Sequence, residues 1–213
     1  MNRLLKKCSI MGVLLVLLAL LTAGCSNGGK GSEAEEASAD PVYTVTLDGS
    51  EITIGETTVQ TLLDKGLKIT VSEMSEDYEI TQYEIDPEAE LEANSYYTGG
   101  SVWITDTVFA NISIVTDEEN IRMGDAVIAY LEFSMSSENA SGLDKILFNN
   151  IPVAELSREK AGEVFPDFTG DENMWFSPAS MSDYKYFMAF NSSGRMTKFS
   201  VEKKYDVDWS GEE

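Results

Sequence analysis

Ser157-Arg-Glu-Lys160 is the stretch whose residue types and spacing come nearest to chemistry. Where S-x-x-K opens a helix, the lysine amine sits one turn from the serine and can take the hydroxyl proton for acyl transfer. Such sites also require S-D-N and K-T-G elements. Here Ser182-Asp183-Tyr184 departs at its third position and no K-T-G follows. A serine that caps a short helix, with an exposed lysine on the first turn, explains both residues. Asp206-Val-Asp208-Trp-Ser210-Gly211 matches the opening of a calcium loop, but the bidentate glutamate at the twelfth position falls beyond Glu213, so the stretch reads as an acidic tail. Acidic runs such as Asp117-Glu118-Glu119 and Asp167 to Asp171 follow from a carboxylate-rich surface. With 37 acidic residues the sequence nominates no glycosidase pair. The chain has no histidine, which removes Ser-His-Asp and Cys-His catalysis and the usual imidazole metal sites. The expectation is a non-enzyme with no resident metal or cofactor.

Two cysteines remain, Cys8 and Cys25. Arg3, Lys6 and Lys7 precede an uncharged apolar run from Ser9 to Ala23, the layout of an export signal and short for a membrane span. The run closes in Leu21-Thr22-Ala23-Gly24-Cys25, which resembles the lipobox of bacterial lipoproteins. The resemblance implies that residues 1–24 are a signal peptide, cut just before Cys25, and that the Cys25 thiol carries a diacylglycerol. It places the chain outside the cytoplasm, anchored by lipid to a bacterial membrane. A Gram-positive cell membrane is the first expectation, though Ser26 also permits a two-membrane envelope. On that reading the mature fold has neither a free thiol nor a disulfide. Residues 26–40 contain no large apolar side chain, so 25–40 read as a flexible tether with a reach of roughly 20 Å.

The formal charge is −22; without the three basic residues of the signal, 12 basic residues face 37 acidic ones, a charge of −25. Such a surface repels nucleic acid and anionic headgroups and favours cationic groups or basic peptides.

The remaining 173 residues must supply the fold. In "YTVTLDGSEITIGETTVQTLLDKG", alternation, an Asp48-Gly49 turn and further alternation read as a hairpin. Thr57-x-x-Gln60 then reads as a capping box for a helix bearing Val59, Leu62 and Leu63, stopped by Gly66. A similar order recurs in "DKILFNNIPVAELSREKAGEVFPDF", with an Asn149-Asn150 turn, a Ser157 cap and a helix bearing Ala161, Val164 and Phe165, an order consistent with a duplication. Strands follow at 101–115, 125–135 and 184–205, the last a hairpin about Asn191 to Gly194. Residues 75–100 are polar, broken by Pro87, and read in part as a lid-like loop. The fold expected is α+β, antiparallel sheet with two or three short helices, in two similar units, 41–138 and 139–213, divided near Ser136 to Gly142. "ITIGETTVQTLLDKG" resembles a phrase of uncharacterised Gram-positive surface lipoproteins. The helix-plus-hairpin order is loosely similar to β-lactamase-inhibitor-like domains. Both resemblances imply a binding or assembly role.

Aromatic residues in loop-like surroundings are the candidate contacts. Tyr96, Tyr97 and Trp103 flank Gly99-Gly100, and Trp175 and Phe176 sit in "GDENMWFSP". Trp103 also suits a strand core, as Met174, Met181 and Met188 do. The function expected is a membrane-tethered, non-catalytic domain that binds a protein or envelope component. The alternatives are a small-molecule or metal-ion accessory of a transporter and a carboxylate hydrolase.

Overall fold

The computed structural model describes residues 41–75, 77–135, 141–181 and 183–205, all within one compact unit, Ala39–Glu213. Cys25, the signal, the tether and the acidic tail from 206 lie outside the described residues, as do 136–140 of the expected boundary. The strands are β1 (Val45–Leu47), β2 (Ser50–Ile52), β3 (Lys68–Met74), β4 (Ile80–Glu84), β5 (Glu90–Leu91), β6 (Tyr96–Trp103), β7 (Phe109–Val115) and β8 (Ile121–Arg122), then β9 (Val127–Ser134), β10 (Ile146–Phe148), β11 (Ile151–Pro152), β12 (Thr169–Gly170), β13 (Met174–Phe176), β14 (Tyr184–Phe190) and β15 (Met196–Lys203). The described α-helices are α1 (Val59–Asp64) and α2 (Arg158–Val164).

The fold is therefore β-rich, which corrects the α+β expectation. The helices are short, at six and seven residues. The polar stretch expected in part as a lid-like loop instead contributes β4, β5 and the start of β6. Its composition misled because β4 is exposed along its whole length. A strand in water needs no apolar face, and pairing with β3 supplies the order that propensity does not.

Every ladder is antiparallel. The large sheet runs β12-β13-β14-β15-β9-β7-β6-β3-β4, the small one β11-β10-β1-β2, and β5 pairs with β8 alone. Within this order one motif occurs twice: hairpin, capped helix, then a four-stranded meander. It is β1-β2-α1-β3-β6-β7-β9 and again β10-β11-α2-β12-β13-β14-β15, with β4, β5 and β8 as additions to the first. Both hairpins turn on two residues with positive φ, Asp48 and Gly49 (46° and 78°) and Asn149 and Asn150 (49° and 62°), the signs of a type I′ turn. Thr58, one residue later than the expected box, caps α1 by accepting from the Thr61 N–H. Ser157 caps α2 by accepting from the Lys160 N–H. The caps bridge to equivalent places, Thr58 to Val127 and Ser157 to Arg195. The two motifs meet at the middle of each sheet, where β1 pairs with β10 and β9 with β15.

One face of the large sheet closes the core. Phe148 of the small sheet is fully buried, stacked on Phe199 of β15 (4.9 Å between centroids) and on Phe165 after α2 (5.1 Å). Tyr43, Phe168 and Tyr186 join this cluster edge-on or tilted, and the Tyr186 hydroxyl accepts from the Tyr43 N–H. Val59 and Leu62 of α1 belong to the same core. Phe148→Ala removes the ring that touches both sheets and is expected to cost about 3–5 kcal/mol, read as a lower urea midpoint at unchanged slope. A cost under about 1 kcal/mol would show that this cluster does not hold the layers together.

Candidate functional site

Side chains alternate across a strand, so the register that turns Phe199, Phe133, Ile112, Val102 and Ile69 into the core turns their neighbours outward. The outer face thus displays Phe187 on β14, Lys198 and Ser200 on β15, Tyr130 and Glu132 on β9, Phe109 on β7, Trp103 on β6, and Ser72 and Met74 on β3 opposite Gln82 and Ile80 of β4.

At its centre lies an ion pair. Glu132 accepts a 2.6 Å hydrogen bond from the Tyr130 hydroxyl and lies 2.6 Å from the Lys198 ammonium. Burial alone would raise the Glu132 carboxyl, but the hydrogen bonds from Lys198 and Tyr130 and the lysine charge outweigh it and hold the group below its ordinary value. Burial, then the bond to Glu132, pushes the Tyr130 phenol up, which leaves it a donor and no nucleophile. This cluster is self-satisfied and offers no reactive group.

Apolar groups flank it unevenly. Toward β4, Trp103 and Phe109 meet across β6 and β7 at 4.7 Å, and the Trp103 indole N–H donates to Thr70 at 2.8 Å. Phe109 is 37 % exposed, Ile80 72 % and Met74 65 %. Between Gln82 and Trp103 opens a cleft of about 330 Å³, lined also by Lys68, Ile104, Thr105 and Asp106. Toward β12, Phe176 (50 % exposed) and Phe187 meet at 5.1 Å, with the Lys198 ammonium 5.9 Å above Phe187.

The five aromatic candidates do not form one patch. Trp103 and Phe176 share the outer face but are five strands apart, about 24 Å. Tyr96 is half-buried at the far end of β6, its phenol pushed up mainly by burial. Tyr97 faces the other way, toward a recess of about 150 Å³ with Val71, Ile85 and Ile112, and its hydroxyl accepts from the Glu92 N–H. Trp175 lies against the helix layer: its ring contacts Phe190 (5.3 Å) and would meet a Cβ at Gly162, and its indole donates to the Asp171 carbonyl. Met181 and Met188 are core, whereas Met174 is 43 % exposed. Sequence reasoning passed over Phe109, Ile80 and Met74. The available signal was "VFANISIV" and "YEITQYEI", where the alternation leaves a large apolar residue on each phase.

Lys160 pairs with Glu163 at 3.0 Å while Ser157 serves the helix backbone, so the S-x-x-K pair is not assembled for proton transfer. Among the described residues no group of three carboxylates or other metal-ligating side chains converges, and no helix is long and apolar enough to cross a membrane.

No family model matches the chain, and neither a curated protein nor a solved structure matches it significantly.

A carboxyl held below its unfolded value contributes stability that is present above the ordinary glutamate range and lost as pH falls through the depressed folded value. Glu132→Gln is therefore expected to lower stability by a constant amount above about pH 5 and by progressively less below it. Urea midpoints of both proteins across that range check this; a gap that widens in acid would reverse the assignment.

Proposed function

We propose that this chain is a lipid-anchored, extracytoplasmic binding protein that docks a protein of the bacterial envelope on the outer face of its large sheet, on the β4 side, and catalyses no reaction. The observation that carries this reading is the apolar surface left in water there: Phe109 packed on half-buried Trp103, which lines a cleft, and Met74 with Ile80 at the other end of the β3–β4 ladder. Exposed aromatic anchors beside a concavity are what an interface centre requires. The self-satisfied Tyr130–Glu132–Lys198 cluster supports a contact surface over a reactive site.

The anchor is Cys25, with a signal before it and the tether after it. Two or three acyl chains, at about 0.8 kcal/mol per buried methylene, hold a protein to the bilayer far more firmly than one. A tether of roughly 20 Å lets the domain meet partners near the surface. Strong net acidity keeps the body off anionic headgroups, so the face remains free for a protein.

Cys25→Ser is expected to move the protein from the membrane to the soluble fraction; a variant that stays with the membrane, or a mature chain that retains residues 1–24, contradicts the anchor. For the face, a photo-reactive phenylalanine analogue at Phe109 is expected to give one discrete protein adduct in cells, reduced about tenfold by Trp103→Ala. The same analogue at exposed Lys65, beside α1, is expected to give none. Equal adducts from both positions, or none from Phe109, would overturn the docking face.

A further inference from the structure

The register of the last ladder decides what the β4 edge offers. The Ile85 N–H donates to Ile69 and the Ser75 N–H to Glu79, so 69 with 85 and 75 with 79 are hydrogen-bonded pairs. By alternation 71 with 83 and 73 with 81 are also such pairs. The N–H and C=O groups of Ile80, Gln82 and Glu84 therefore point away from β3. Among the described residues β4 has a neighbour on that one side only. The opposite edge of the sheet is β12, two residues long, whose shortness blunts it. β4 carries no lysine, proline or bulge, the usual protections, and its Ile-Thr-Gln-Tyr run favours pairing.

The surroundings of that edge select a ligand charge. Glu73, Asp77, Glu79 and Glu84 are all exposed along the hairpin, and among the described residues no lysine or arginine pairs with them. Exposed Met74, Tyr78 (81 %) and Ile80 lie between them. A second copy would bring the same carboxylates and repel; an extended segment with basic and apolar side chains in alternation would complement both.

We infer that β4 is an acceptor edge: a partner protein adds an extended, basic-and-apolar segment as a tenth strand, hydrogen-bonded to Ile80, Gln82 and Glu84. This rests on the docking face argued above and names the mode and chemistry of its partner. Backbone bonds supply affinity, the carboxylates select the charge, and the cleft between Gln82 and Trp103 lies within reach of the added strand's side chains.

The test uses the full chain in detergent micelles and three labelled synthetic nonapeptides read by fluorescence anisotropy. One alternates Val and Lys, one is the same peptide N-methylated at adjacent central residues so that both of its edges are blocked, and one has Glu in place of Lys. The Val-Lys peptide is expected to saturate below about 1 mM and to bind about tenfold more tightly than either other peptide. Gln82→Pro removes one outward N–H, on the edge where proline is tolerated, and is expected to abolish the preference over the N-methylated peptide. Equal binding of the parent and N-methylated peptides means charge attraction alone and overturns strand addition, as does no saturation. A dimer in sedimentation that Gln82→Pro dissolves assigns the edge to a second copy and also overturns it. The N-methylated control needs no variant, so the test survives a Gln82→Pro that fails to fold. If the peptides fail while the Phe109 adduct persists, strand addition is wrong and the docking face stands; loss of the adduct with peptide binding intact has the opposite meaning.

Discussion

A nine-stranded antiparallel sheet has two faces and two edges, and the rest of this chain covers them unequally. The small sheet, α1 and α2 close one face around Phe148, Phe165, Phe199 and Tyr186. That packing fixes the register of every strand it touches, because a slip of one residue would exchange core and solvent side chains along a whole strand. Once Met188, Phe133 and Ile112 are committed inward, Phe187, Glu132 and Asn111 beside them have no choice but to face out. The exposed aromatics are thus a consequence of the core, and what varies is which residues were placed there.

Two kinds of residue occupy the outer face. In the middle, where the two motifs meet through β9 and β15, Tyr130, Glu132 and Lys198 satisfy one another. Such a cluster sits in water at little cost and offers a partner no unpaired charge. Toward β4 the composition changes to half-buried Trp103 with exposed Phe109 and, at the far end of β3, exposed Met74 and Ile80. The change coincides with the strand that the second copy of the motif lacks: β4 extends the first meander beyond its four strands, whereas the second ends in the two-residue β12. Asymmetry in an otherwise repeated architecture is thus concentrated where the open edge, the acidic fringe and the cleft occur together.

Local chemistry made much of this legible in advance. The Asp48-Gly49 and Asn149-Asn150 turns, the Ser157 cap and the Asn191 to Gly194 hairpin are written in residues whose backbone preferences are strong, and they stand where turn chemistry puts them. The α1 cap was displaced by one residue because Thr57 and Thr58 are both competent. Thr57 instead accepts from the Thr53 N–H. The fold class was misjudged for a different reason. Short helices announce themselves through caps and stops, while an exposed strand such as β4 has no periodic apolar signal and is ordered by its neighbour. The candidate site was half legible. Trp103 and Phe176 face outward, but Trp175 sits one residue from Phe176 on the other phase of the pleat, and the register shift between Tyr97 and Gly100 turns Tyr97 to the face opposite Trp103. The ladder sets Phe109 beside Trp103, and Met74 and Ile80 by the open edge about 20 Å further along β3.

The most direct measurement is residue-resolved amide hydrogen exchange of the free, full chain along β4. Thr81 and Tyr83 donate inward to Glu73 and Val71, whereas Ile80, Gln82 and Glu84 point to the open edge. Alternating protection is the expected result, slow at Thr81 and Tyr83 and fast at Ile80, Gln82 and Glu84, with β9 and β15 slowest of all. Uniform slow exchange across Ile80 to Glu84 would mean that the edge is already covered, and would contradict an outer face held open for a partner.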